Sequence, residues 1–221
     1  MSLIIWSCNG KNQSANTSDN NSDSVESKDI NHVLSQNGDN LTKVDLSEAD
    51  RKELNTFFSN FSEVLMKPFN LDKLTDALMI HFAVYHNEIN YFKLFQPAGN
   101  NRFKISEYDI NQTTEIFFGR KVGTHQSTNE IIYSQGFYTI VPADGEAYYF
   151  SQIDDLFLIE GNNYYAMVKI YVAGSGWTGD PHAKPAAWDT DDVPQLDREM
   201  VANIVKVDDR YILTEYLNVS E

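Results

Sequence analysis

The sequence predicts an α+β domain, with N-terminal helices packed on one face of a curved antiparallel sheet. Three observations carry this. Apolar residues recur at three- and four-residue steps between about 47 and 118, the period of an amphipathic helix. After residue 130 the chain turns to runs dominated by Tyr, Val, Ile and Phe. Short turn signals join several of those runs as hairpins, which makes an antiparallel meander whose apolar face needs cover. Residues 1–44 stand apart as a signal remnant and flexible tether, leaving 45–221 as a single domain.

The first helix is capped by Asp45 or Ser47, with Asp50 as capping-box partner three residues after Ser47. Leu54, Phe57, Phe58, Phe61, Val64 and Leu65 form its apolar stripe, and Pro68 stops it. A second helix is expected over about 72–86, with Leu74, Ala77, Leu78, His81, Phe82 and Tyr85 on one face. Residues 87–95 read as a short strand and 97–101, Pro-Ala-Gly-Asn-Asn, as a turn. A third helix starts at Ser106, with Asp109 completing its cap, and ends at Gly119. Strands are expected at 130–134, 137–141, 147–160, 164–173, 199–207 and 210–218. The turns at 160–163 and 208–209 are tight enough for hairpins.

The only cysteine, Cys8, follows Ile5-Trp6-Ser7 and precedes a tract rich in Asn, Ser, Asp, Gly and Lys. This pattern resembles the lipobox of a bacterial lipoprotein behind a truncated signal peptide, although Trp6 is bulkier than that site usually takes. The resemblance implies lipidation of Cys8, attachment to a membrane through that anchor, and an extracytoplasmic place in the cell envelope. Residues 9–42 hold too little apolar surface to offset the entropy of ordering, as a tether requires. A lone cysteine excludes an internal disulfide framework and a CxxC site. The formal net charge of −15 opposes phosphate backbones, so nucleic acid is not an expected partner. No stretch approaches the roughly 18 apolar residues of a membrane-spanning helix.

The order helix, helix, short strand, helix, then antiparallel sheet resembles the NTF2-like (cystatin-like) fold. That resemblance rests on element order and implies a cone with a pocket at its mouth, used by some members for catalysis and by many for binding alone. The residues themselves supply no catalytic set and no cofactor motif: there is no GxSxG elbow and no Gly-rich phosphate loop. His81 and His86 are five apart, out of register for a metal pair, so His81 reads as a structural histidine. The adjacent carboxylates Asp154-Asp155 should face opposite ways in a strand, and Asp208-Asp209 reads as a turn.

The most conspicuous segment is the long excursion at 174–196, which carries Trp177, Asp180, His182, Trp188, Asp189, Asp191 and Asp192. A loop of this length tends to be functional or disordered, and exposed tryptophans would suit a protein partner, a small molecule or a saccharide. Asp189, Asp191 and Asp192 do not make a calcium loop, because counting from Asp189 puts Pro194 at position six and Met200 at position twelve. The reading is thus an envelope-anchored, non-catalytic binding module. The alternatives are an enzyme with a pocket at the mouth of the sheet, or a structural envelope protein.

Overall fold

The computed structural model describes residues 41–142, 147–174, 176–188 and 192–219. Cys8, most of the expected tether, Asp189 and Asp191 lie outside the described residues. The chain is α+β, with three α-helices and two antiparallel sheets among the described residues.

Helix α1 (Glu48–Glu63) starts on the expected capping box, with the Asp50 N–H donating to Ser47 Oγ and the Ser47 N–H returning to Asp50 Oδ2. Helix α2 (Asp76–Asn90) begins four residues later than expected, because Thr75 Oγ1 accepts from the Leu78 N–H and residues 71–73 form a separate 3₁₀ turn. The expected strand over 87–95 does not form. The helix continues to Asn90, and the apolar residues beyond it close a 3₁₀ turn, Phe92–Leu94, through local bonds from Leu94 N to Tyr91 O and Phe95 N to Phe92 O.

The expected turn is the tip of a hairpin, β2 (Gln96–Gly99) and β3 (Arg102–Ser106), with Asn100 and Asn101 both at positive φ as a type I′ turn requires. Helix α3 (Glu107–Phe118) follows directly. It ends at Gly119 in the left-handed region, where an added Cβ would meet Ile212 Cδ1 at 3.0 Å.

Strands β4 (Ile132–Ser134) and β5 (Phe137–Ile140) do not join the main meander. They pair with the β2–β3 hairpin in a four-stranded sheet ordered β2-β3-β5-β4, so the single expected sheet is two. The reason is local anchoring. The Glu107 N–H at the start of α3 donates to Gly136 O in the β4–β5 turn, which brings β5 alongside β3.

The main sheet is β1 (Thr42–Lys43), β6 (Ala147–Glu160), β7 (Asn163–Gly174), β8 (Gln195–Val207) and β9 (Arg210–Asn218), in that order. The last residues read as tether, Thr42 and Lys43, thus add to it as a short edge strand on Leu158 and Phe157. Strand β8 starts at Gln195, four residues earlier than expected, and Gln195 pairs with Val172.

A bulge at Asp154 lets Ile153 and Leu156 both face the helices. It also separates the two adjacent carboxylates: Asp154 pairs with Lys169 at 2.8 Å and Asp155 with Lys43 at 2.6 Å.

One face of this sheet packs on the helices. Phe58 and Phe61 of α1, Phe82 of α2 and Ile110 of α3 meet Val168, Ile170, Met200 and Leu213, all buried. Between β1 and the start of β6 the sheet edge is closed by helix side chains instead of a strand. Ile153 N donates to Asn55 Oδ1 at 2.7 Å, Ser151 N to Ser59 Oγ at 2.9 Å, and Arg51 Nη1 to Ile153 O at 2.7 Å. Their four-residue spacing puts all three on one side of α1, where they occupy backbone groups that an edge would otherwise leave open.

Candidate functional site

Residues 176–188 of the long excursion fold back on the other face of the main sheet. Trp177 stacks on Phe150 at 5.2 Å and 3° between planes, and Trp188 meets the rings of Phe150 and Tyr171 edge-on. Gly179 backs onto the same indole so closely that an added Cβ would lie 2.4 Å from Trp177 Cζ2. With Phe150 on it and Gly179 against it, Trp177 is engaged in packing, and Trp188 is buried. Trp188 Nε1 donates to Asp180 O, and Asp180 Oδ1 accepts from the His182 N–H. Asp180 and Asp192 share a cavity of about 400 Å³ with the two tryptophans, whereas His182 faces a neighbouring cleft beside Gln152. Gln152 Nε2 fastens the loop to the sheet by donating to Pro181 O and Ala183 O. Trp188 thus belongs to a small second core, with the half-buried Trp177 packed against it and both rings lining the cavity.

A second cluster, which the sequence reading missed, surrounds His125. Asn111 Oδ1 accepts from the Val122 N–H, which leaves Asn111 Nδ2 to donate to His125 Nε2 at 3.2 Å. The proton of this imidazole is thereby assigned to Nδ1, which lies 2.6 Å from Tyr138 Oη. Tyr133 stacks on His125, and its phenol donates to Glu107 Oε2. Both ring nitrogens are hydrogen-bonded to side chains of the protein. Among the described residues no group of three or more His, Asp or Glu side chains is placed to hold a metal ion.

The arrangement suited to a ligand is a groove of about 800 Å³ between the end of α1, α2, and the start of β6. Leu65, Ile89, Phe92 and Tyr148 line it and are 49%, 53%, 43% and 37% exposed, an unusual concentration of open apolar surface. Glu63, Glu88 and Glu130 line it as well.

Local structure explains why Leu65 stands in the open. Helix α1 ends in a Schellman motif, with Met66 N donating to Phe61 O and Leu65 N to Ser62 O. The motif needs a left-handed residue at its C′ position, where glycine is favoured. Leu65 occupies it with φ 51°. A left-handed leucine costs about 1–2 kcal/mol, and the turn swings the side chain off the buried stripe into the groove. His81 supports the same turn, its Nε2 donating to Val64 O at 3.2 Å, and is part-buried against Tyr85.

Electrostatics of the groove are set by burial. Burial pushes the Glu63 carboxyl above its ordinary range, opposed by a hydrogen bond from Asn90 Nδ2 at 3.2 Å. Burial, and then the bond from its hydroxyl to Glu130 Oε2 at 3.1 Å, push the Tyr85 phenol up to about 12, with the Glu88 charge adding to the shift. Burial and the Glu63 charge also raise Tyr148. Below Glu63, His86 is buried on Phe82 and Phe117, and loss of solvation brings its imidazole down to about 4.

No family model matches this chain, and no curated protein or solved structure was found to match it.

Proposed function

We propose that this chain is a non-catalytic binding module, anchored to the outside of a bacterial membrane through a lipid on Cys8, with an NTF2-like/cystatin-like domain whose groove takes a small ligand. The anchor rests on the lipobox-like Ile5-Trp6-Ser7-Cys8 and the polar tract after it. The fold assignment rests on helices that cover one face of a bulged antiparallel sheet, with the four-stranded sheet as an addition to that plan. Binding rests on one observation above all: Leu65 is held left-handed at a position that favours glycine, with its side chain half exposed in an apolar groove. Strain of this kind accumulates where a surface is shaped for something other than stability.

The test separates binding from folding. Leu65→Gly removes the side chain and relieves the backbone, so stability should stay within about 1 kcal/mol of the parent as the relief offsets the added freedom of the unfolded chain. Uptake of the neutral fluorophore Nile red should fall at least several-fold. A parent protein that takes up no Nile red, or a glycine variant that takes up as much, would sink the groove. The anchor is tested separately by metabolic labelling with a fatty acid in a bacterial host, where Cys8→Ser should abolish incorporation. Unchanged labelling would exclude it.

A further inference from the structure

We propose that the groove selects an organic ammonium cation bearing an apolar tail, held as one small molecule with its tail on Leu65 and Ile89 and its head among carboxylates and aromatic rings. This rests on the reading of the groove as a binding site and adds the charge of its ligand. The argument is one of complementarity. The groove is lined by three glutamates, and no lysine or arginine lines it among the described residues. Its volume, about 800 Å³, lies within the range of small-molecule sites.

The acidic groups are interleaved with rings. The Tyr85 hydroxyl bonds to Glu130, and Tyr85 also feels the charge of Glu88, while Tyr148 feels that of Glu63. An ammonium group placed there gains both attraction to a carboxylate and the negative face of an aromatic ring, a pairing that neutral or anionic heads cannot use. Burial already disfavours the charged form of Glu63, and a cation is the ligand that would compensate it. The overall charge of −15 adds a long-range field of the same sign.

The test uses three probes with one tail: octyltrimethylammonium, 1-octanol and octyl sulfate, each titrated into the full chain by calorimetry below its aggregation concentration. The cation should bind about tenfold or more tighter than the alcohol, and the sulfate more weakly than either, with the preference shrinking as salt screens the charges. In a Glu63→Gln/Glu88→Gln/Glu130→Gln variant, checked for folding by circular dichroism, the cation should lose its advantage while octanol binding stays. Equal affinity of parent protein for cation and alcohol, or an advantage that survives the triple change, overturns the charge assignment and leaves the groove as an apolar site. Failure of all three probes to bind the folded parent overturns the groove itself.

Discussion

The two faces of the main sheet are buried by different means. On one face, helices α1 to α3 supply apolar stripes whose period is written in the sequence, and the core they form is continuous across the domain. On the other, a loop rich in Gly, Pro and Asp lays two tryptophans over Phe150, Tyr171 and Ala173, making a small separate core. Consecutive residues of β6 display the contrast. Ser151 faces α1 and bonds to Ser59 and Ser62, while Gln152 faces the loop and holds two of its carbonyls. A regular element buries its face through many contacts repeated along its length, whereas a loop depends on a few large rings and latches.

The sharpest test of that contrast is a pair of large deletions. Phe61 lies among Phe57, Phe82, Phe117, Phe118 and Tyr216, so Phe61→Ala should destabilise the whole domain by about 3–5 kcal/mol in denaturant titration. Trp188→Ala removes a comparable volume from the loop face. Its effect should be local: hydrogen exchange should accelerate at residues 176–188 while α1 amides keep their protection. A global loss for Trp188→Ala as large as that for Phe61→Ala would mean that the two cores are one cooperative unit.

What the sequence disclosed follows the same division. The capping box of α1, the Ser106 cap and the glycine that bound α3, and the stripe of Phe57, Phe58 and Phe61 are local signals, and they identify their elements correctly. Pairing of β5 with β3 is not local, since nothing in either short run names its partner, and a single meander was the simpler expectation. Leu65 was legible as apolar but not as exposed. In the helical stripe it is indistinguishable from its buried neighbours, and only the Schellman turn throws it outward. The groove draws its lining from the end of α1, α2, Glu130 and residues 147–149, so no window of sequence contains it. Trp177 and Trp188 posed the opposite problem. Their size announced burial of some kind, but whether the cover is a partner or the protein's own Phe150 is a tertiary fact. The clasp of Arg51, Asn55 and Ser59 had a faint signal, polar residues four apart beside an apolar stripe, which helix patterning alone reads as solvent-facing.

Acid should probe the helix face next. His86 is buried at the border of α1, α2 and α3 against Phe82, Phe117 and Tyr91, with Asn90 donating to its Nδ1 and Glu63 beyond that amide. Burial brings its imidazole down to about 4 in the folded chain, against 6.5 for a solvated histidine. The unfolded chain therefore binds the extra proton across that interval. Stability contributed by this group is complete above 6.5 and is lost as pH falls towards 4, by about 2–3 kcal/mol. Comparing urea midpoints of the parent and His86→Leu across this range checks the sign, because the variant should lack that part of the slope. An equal slope in both would show that His86 is solvated when folded, and that the helix face is wetter than its packing implies.

The smallest effects separate the two ways in which β6 is held. Asn55→Ala leaves the Ile153 N–H inside the protein with no acceptor, which costs about 1–3 kcal/mol because a buried donor loses its only partner. Gln152→Ala removes a donor from Pro181 O and Ala183 O, both on a loop where water can replace the amide, so the cost should stay near 1 kcal/mol. The difference has a physical origin in access: helix α1 seals its side of the strand, whereas the excursion only rests on the other. Denaturant titration of the two single variants and the double measures it, and the two costs should add, since the side chains lie on opposite faces and share no partner. A Gln152→Ala cost exceeding that of Asn55→Ala would reverse the ranking, making the loop latch the stronger constraint on β6 and the helix clasp the replaceable one.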